Sequence, residues 1–169
     1  MHGDWTLVAV SVAYLVLCFS VAGEFYLIGH SKRISVLMLG VSLYILAFLI
    51  RWWGMKSLGK QWAIHAVGAQ KISHVRVIKI GAYKYVRHPI YLGVILEVVS
   101  LPLIANVPYS LFIALLINVP LQILRAFIEE KYCVRRFESG YQKYKQEVGM
   151  LIPYKYFLKK FSGSKYVKC

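Results

Sequence analysis

The sequence predicts an all-α integral membrane protein with four transmembrane helices, a cytoplasmic connector and an amphipathic C-terminal helix. Hydrophobic residues make up 59% of the 169, and the mean hydropathy is +0.56. Four apolar runs of about 16 to 18 residues are long enough to cross a bilayer. A soluble nucleic-acid-binding protein could share the formal charge of +14, but such runs would not separate its basic residues. No nucleic-acid partner is therefore expected.

The apolar runs divide the single domain, residues 1–169, into an N-terminal helix pair (1–53) and a second part (54–169) that carries the candidate site. Trp52 and Trp53 follow the second run, where tryptophans belong at headgroup level. The break between Ala105 and Pro108 predicts a tight helical hairpin between the last two runs. The predicted spans are residues 6–23, 34–50, 90–105 and 107–124.

The segments outside these runs are polar and basic. Residues 54–88 are predicted to form a membrane-proximal connector, with alternation over residues 74–80 that favours a short extended segment. After Arg125 the chain becomes amphipathic, which predicts a helix that leaves the bilayer, lies on its surface and ends at Gly149 and Pro153. The remaining tail, from Tyr154, is basic and aromatic.

The distribution of Lys and Arg predicts the orientation. Residues 51–87 contain eight of them and residues 125–169 contain eleven, whereas the first loop has two and the turn near Asn106 has none. Four spans place both rich segments on one side of the membrane, which the positive-inside rule makes cytoplasmic. No metal is expected, because Cys18, Cys133 and Cys169 form no Cys/His pattern with ligand spacing.

Residues 81–93, Gly-Ala-Tyr-Lys-Tyr-Val-Arg-His-Pro-Ile-Tyr-Leu-Gly, form the candidate binding stretch. Pro89 suits the first turn of a helix that begins near Ile90, because proline has no N–H to leave unpaired there. The helix N-terminus carries free N–H groups and a partial positive charge beside Lys84, Arg87 and His88. The stretch is therefore a natural place for a ligand carboxylate.

Polar side chains also lie inside the apolar runs. Asn118, Gln122, Arg125 and Glu129 are spaced four, three and four residues apart, which places them on one helical face. Glu97 is expected to face the protein interior, because an ionisable group at membrane depth costs about 2.5 to 3.5 kcal/mol. Counting outward from the turn makes Asn118 or Gln122 its predicted partner. A simple helix-packing role for these residues remains an alternative.

One set of motifs resembles a known family. The set is Gly81-x-Tyr83, Arg87-His88-Pro89-x-Tyr91-x-Gly93, Arg125 followed by Glu129-Glu130, then Tyr141, Tyr144 and Ile152-Pro153. In this order the motifs resemble the isoprenylcysteine carboxyl methyltransferase family of integral-membrane methyltransferases, over roughly residues 58–154. Within the family, the chain resembles small bacterial members thought to O-methylate alkylpyrones or alkylresorcinols.

The resemblance implies S-adenosylmethionine as cofactor and methyl transfer to a carboxylate, enol or phenol oxygen of a lipophilic acceptor. It implies an integral protein of the bacterial cell membrane, in contact with membrane lipid, whose active site faces the cytoplasm. Arg125 and Glu129 are the predicted catalytic residues. The predicted cofactor-binding residues are Tyr83, Arg87, His88, Pro89, Tyr91, Leu92, Gly93, Glu129 and Glu130.

Within this set, Arg87 and His88 would hold the cofactor carboxylate, and Glu129 or Glu130 would accept from ribose hydroxyls or the ammonium. Arg125 would orient an anionic acceptor, and a weakly acidic phenol would need Glu129 or His88 as base. Two alternatives stay open. One is an NADPH-dependent membrane reductase of the sterol-reductase type, and the other is a basic scaffold that binds anionic lipid. The acceptor's identity and the oligomeric state also stay open.

Overall fold

The structure, a computed structural model, describes residues 4–28, 33–59 and 77–161. Within them the fold is all-α, as predicted, and β structure is limited to one isolated bridge between Val86 and Gly149. Most of the predicted extended segment, part of the connector, His30, Lys32 and the end of the tail lie outside the described residues. The helices are α1 (Asp4–Gly23), α2 (Ile34–Leu58), α3 (Pro89–Ala105), α4 (Pro108–Ile113), α5 (Val119–Glu147) and α6 (Tyr154–Phe161), with a 3-10 turn at Gly81–Lys84 and π-helical turns at Glu24–Ile28 and Ala114–Asn118.

Three helical stretches in the described part are long and apolar enough to cross a membrane: Trp5–Ile28, Ile34–Leu58 and Pro108–Arg135. The integral membrane class is thus supported. α3 is equally apolar but has 17 residues, about 25 Å at 1.5 Å per residue, which is shorter than a typical hydrocarbon core of about 30 Å. The helix of the second predicted span, residues 34–50, is longer than that span: α2 continues through Arg51 to Leu58, since one charged residue does not interrupt a helix.

Contacts between helix ends define two ends of the bundle. At the turn end, the Glu24 carboxylate accepts hydrogen bonds from the backbone N–H groups of Tyr109 (3.0 Å) and Ser110 (2.7 Å), and the Arg33 N–H donates to Asn106 Oδ1 at 3.3 Å. At the site end, Arg125 donates from Nη1 to Thr6 Oγ1 at 3.2 Å. α1, α2, α3 and the α4–α5 stretch therefore run alternately between the two ends.

Small residues let α2 and α3 approach closely. Gly40, Ala47 and Gly54 are buried and seven residues apart on α2, which places them along one seam. A Cβ atom added at Gly40 would lie 2.7 Å from the backbone nitrogen of Ile104, and one added at Gly54 would lie 3.1 Å from Ile90 Cγ1. The main packing partner of α3 is therefore α2.

The predicted hairpin turn between α3 and α4 is confirmed. Asn106 adopts the left-handed conformation (φ 56°) and caps α3 by donating its N–H to the carbonyl of Leu103. Pro108 then begins α4, so two residues connect the helices. A small core of Leu17, Val98 and Ala114 joins α1, α3 and the second π turn.

The outer surfaces of the helices are apolar. The exposed side chains include Phe19, Met38, Phe48, Phe112 and Leu116. Soluble monomers rarely expose contiguous apolar patches of this kind. These surfaces suit contact with lipid chains.

Candidate active site

The candidate stretch is held against the end of α5 by backbone hydrogen bonds. The N–H of Arg87 donates to the carbonyl of Gly149 (2.9 Å), and the N–H of His88 donates to the carbonyl of Met150 (3.1 Å). α3 begins at Pro89 with His88 as its N-cap residue, as predicted. The turn before α3 and the segment after α5 thus form one unit, although the hydrogen-bonded residues are 62 positions apart in sequence.

Arg87 and Glu130 form a buried ion pair at the centre of this unit. Arg87 Nε donates to Glu130 Oε1 at 2.7 Å, and Nη2 lies 2.6 Å from the same oxygen. Nη1 donates to the carbonyls of Lys145 (3.0 Å) and Val148, so the guanidinium also caps the C-terminal end of α5. Arg87 therefore links the stretch before α3 directly to Glu130 on α5. Its N–H groups donate to Glu130 and to backbone carbonyls of the protein itself.

Two further basic groups surround Glu130. Lys145 Nζ lies 3.1 Å from Glu130 Oε2, and His88 Nε2 lies 3.4 Å from Oε1. The His88 nitrogen is buried and has no hydrogen-bond partner within the part of the chain that the structure describes. A buried nitrogen without a hydrogen bond is costly, which favours a polar ligand or water at this position.

Tyr91 connects the two predicted catalytic residues. Arg125 Nε donates to the Tyr91 hydroxyl at 3.0 Å, and the same hydroxyl is hydrogen bonded to Glu129. The Arg125 guanidinium also lies 5.9 Å from the centre of the Tyr91 ring. Thr6 at the start of α1 completes the set as the second acceptor of Arg125. Arg125 and Glu129 therefore share one face of α5 with Glu130 only one residue away, next to the start of α3.

Buried tyrosines support the site from the side of α5. The Tyr144 hydroxyl donates to the carbonyl of Tyr83 at 2.6 Å. Burial raises the pKa of Tyr83, and the nearby charge of Glu129 raises it further. Burial also raises the pKa values of Tyr141 and Tyr144, so these hydroxyls remain protonated at neutral pH.

The other predicted cofactor residues lie on α3. Pro89 and Gly93 are buried against α2: Pro89 lies beside Gly54, and a Cβ atom added at Gly93 would overlap the Arg51 side chain. Leu92 is half-buried in the first turn, where its N–H donates to the carbonyl of His88. The structure brings Pro89 and Gly93 into helix packing beside the site.

The predicted partner of Glu97 was wrong. Glu97 forms an ion pair with Arg51 and accepts a hydrogen bond from the Tyr14 hydroxyl at 3.0 Å. Counting along the α3 hairpin could not find these partners, because α3 packs mainly on α2. Asn118 and Gln122 are buried, as their helical face predicts, but Asn118 Nδ2 has no hydrogen-bond partner among the described residues.

Four residues of the polar network were missed by sequence reasoning. They are Thr6, Tyr14, Arg51 and Lys145. A signal existed for Arg51, because it is the first charge after a long apolar run and the small-residue seam runs past it. Thr6, Tyr14 and Lys145 stand in ordinary contexts, and only tertiary packing brings them to their partners.

The fold and the site define a class: a helical integral membrane protein with a buried ionic network at one end of its helices. The family model described as the isoprenylcysteine carboxyl methyltransferase family matches residues 36–135. This range is more than half of the chain and contains all but the first two residues of α2, the whole of α3, and Arg125, Glu129 and Glu130. The chain belongs to this family.

Comparison with curated proteins finds several relatives. Protein-S-isoprenylcysteine O-methyltransferase of Saccharomyces cerevisiae is 33% identical over 117 residues, which cover 69% of this chain and 48% of the relative. Protein YpbQ of Bacillus subtilis is 30% identical over 102 residues, 60% of this chain and 59% of the relative. Methanethiol S-methyltransferase of a Pseudomonas species is 34% identical over 71 residues, 42% of this chain and 26% of the relative. The chain thus spans about half of the length of the first two relatives and less of the third. No solved structure matches it significantly.

Proposed function

We propose that the chain is an S-adenosylmethionine-dependent methyltransferase that modifies a carboxylate, enol or phenol oxygen of a lipophilic acceptor at the cytoplasmic membrane interface. The observation that carries the proposal is the meeting of Arg87 and His88 with Glu130, beside Arg125 and Glu129, at the end of apolar helices. Family membership supports the methyl-transfer chemistry.

The residues at the site end fit the ionic groups of the proposed cofactor. The buried His88 Nε2 and the first-turn N–H groups of α3 suit its carboxylate. The carboxylate of Glu129 suits its ammonium or ribose hydroxyls, and the rings of Tyr83 and Tyr91 suit its adenine. Arg87 and Glu130 hold these groups in place through their ion pair.

When bound, S-adenosylmethionine supplies an electrophilic methyl group with a good leaving group, so alignment matters more than acid catalysis. Holding two reactants in attack geometry can lower the barrier by about 7 to 11 kcal/mol. In this proposal Arg125, held by Tyr91 and Thr6, orients an anionic acceptor oxygen. Glu129 removes the proton from a weakly acidic phenol.

The apolar helices and the polar site end together define where a lipophilic acceptor would bind. A lipophilic tail would lie among the apolar helices while its polar end reaches Arg125. The names of two relatives refer to an isoprenylcysteine O-methyltransferase and a methanethiol S-methyltransferase. Their acceptors differ in size and in the atom methylated, so the oxygen-bearing lipophilic acceptor is our proposal for this chain.

We also propose that α3 is a fourth span and that the site end faces the cytoplasm. α3 begins at the site end and ends at the turn end, beside longer apolar helices. The eight Lys and Arg of residues 51–87 and the eleven after residue 124 would then lie on the cytoplasmic side. Labelling of single introduced cysteines from each side of intact cells tests this orientation.

The decisive experiment incubates the purified protein with methyl-labelled S-adenosylmethionine and a lipid extract of its host. We expect one labelled lipophilic product. Glu129→Gln should lower turnover, by about 10² to 10⁴-fold if Glu129 acts as a base. Glu147→Gln, an exposed position on the same helix, is the matched control and should not. Absence of labelled product, with thermal protection by NADPH but not by S-adenosylmethionine, would favour the reductase alternative.

A further inference from the structure

The short helix α6 carries an apolar face directed away from the protein. Phe157 and Leu158 follow Tyr154 by three and four residues, which places the three side chains on one side of the helix. Phe157 is 50% exposed and Leu158 is 64% exposed, and Ile152 just before the helix is 68% exposed. Large apolar side chains such as Tyr154, Phe157 and Leu158 would normally be buried when they share one side of a helix.

Other residues of α6 fasten the helix to the site end. The Tyr156 ring lies 4.7 Å from the Tyr85 ring, which in turn lies 5.6 Å from the Trp53 ring at the end of α2. Lys155 Nζ donates to the carbonyl of Lys145 at 2.9 Å. Both residues are less exposed than Phe157 and Leu158. α6 therefore lies beside the point where a membrane-spanning helix ends, with its apolar face outward.

The charge of this region is entirely positive. After Glu147 the sequence contains five lysines, at positions 155, 159, 160, 165 and 168, and no Asp or Glu. A short helix that combines an apolar face with several lysines binds at the headgroup boundary of a membrane. Basic residues near an anionic surface strengthen such binding.

We propose that α6 docks on an anionic bilayer surface, with Tyr154, Phe157 and Leu158 inserted at the headgroup boundary. The bilayer is favoured over a protein partner because α6 adjoins a membrane span and because the whole segment is basic. An apolar face of one short helix is also small for a stable protein interface. This inference stands independently of the proposed methyl transfer.

Spin labelling of the full chain tests the proposal. Cys18, Cys133 and Cys169 are first replaced by alanine, and single cysteines are introduced as Leu158→Cys or, at an exposed charged position at the end of α5, Glu147→Cys. After nitroxide labelling and reconstitution in bilayers of phosphatidylglycerol and phosphatidylcholine, accessibility to oxygen and to a water-soluble nickel complex is compared. We expect the label at position 158 to favour oxygen and the label at position 147 to favour nickel.

Lipid charge and a second variant complete the test. In pure phosphatidylcholine the preference for oxygen at position 158 should decrease, and Phe157→Glu should abolish it in either lipid. Equal accessibility at positions 147 and 158 in anionic bilayers would overturn the proposal. Dipolar broadening between labels at position 158, independent of lipid charge, would overturn it in favour of a second copy of this chain.

Discussion

The two ends of the helix bundle solve the burial of a carboxylate in different ways. At the turn end the Glu24 carboxylate is stabilised by hydrogen bonds from two N–H groups and one hydroxyl at the start of α4, and no described basic side chain pairs with it. At the site end Glu130 is surrounded by Arg87, Lys145 and His88. A helix N-terminus is sufficient to bury one charge, so the extra ionic groups at the site end indicate a role beyond packing.

The largest expected effect is loss of the central ion pair. Glu130→Ala leaves the buried Arg87 guanidinium without its carboxylate, which typically costs about 3 to 5 kcal/mol. We expect a corresponding decrease in the free energy of unfolding, measured by denaturant titration in mixed micelles. Glu147→Ala, exposed on the same helix, is the control, and equal stability of the two variants would contradict the assignment.

A double variant separates stability from binding at the same pair. Replacing both partners by apolar residues, as in Arg87→Met with Glu130→Leu, removes the unpaired charge and can restore much of the stability. If the pair organises the cofactor site, calorimetric titration with S-adenosylmethionine should still show no binding. Full binding by this folded variant would restrict the pair to a structural role.

The second effect concerns the α2–α3 seam toward the turn end. Gly40→Ala places a Cβ atom 2.7 Å from the backbone of Ile104, and overpacking of this kind costs about 1 to 3 kcal/mol. Gly140→Ala is the matched control, because nothing lies within 4 Å of its Cβ position on α5. There alanine should stabilise the helix by about 0.5 to 1 kcal/mol. Thermal unfolding of the two variants should therefore shift in opposite directions.

The seam also explains which parts of the structure the sequence could predict. The start of α3 at Pro89 and the turn at Asn106 follow from local backbone chemistry, so both were predictable. The partner of Glu97 depends on which helices pack together, and the signal for that packing is the seven-residue spacing of Gly40, Ala47 and Gly54. The sequence could predict that Arg87 and Glu130 lie near each other, but not that they form an ion pair. The geometry of the pair depends on the path of the chain after α5.

The C-terminal helices show a second limit of prediction from sequence, which comes from helix length. The predicted end of the amphipathic helix before Gly149 is correct, because α5 ends at Glu147. The tail from Tyr154 was predicted only as basic and aromatic, yet it begins with the helix α6. Eight residues give too few turns for periodicity alone to be decisive, and it is contacts such as Tyr156 with Tyr85 that stabilise the helix.

A third, smaller effect is expected at the turn end. Glu24→Gln keeps the side-chain shape but turns one acceptor toward Tyr109 or Ser110 into a donor. Loss of such a cap costs about 0.5 to 2 kcal/mol. Because Glu24 lies at the opposite end from Arg125, methyl transfer per folded molecule should be unchanged. Single-turnover measurements on samples with equal folded fractions check this. A large loss of turnover would contradict the proposal that the turn end serves stability and the site end serves methyl transfer.

The smallest effect comes from Tyr144 at the site end. Tyr144→Phe removes the hydrogen bond to the carbonyl of Tyr83, with an expected cost of about 0.5 to 1.5 kcal/mol at neutral pH. Burial raises the pKa of Tyr144 in the folded state, whereas an unfolded tyrosine ionises near pH 10, about its reference value. Below that pH both states hold the proton, and above it only the folded state does.

The stability contributed by Tyr144 is therefore fully present below about pH 10 and decreases as the pH rises toward the folded-state pKa. The advantage of the wild type over Tyr144→Phe should narrow between pH 8 and pH 11, by up to about 1.4 kcal/mol per pH unit above pH 10. Denaturant titrations at these values measure the difference. A constant difference would mean that Tyr144 ionises normally in the folded protein, and that water reaches the tyrosines that support the site.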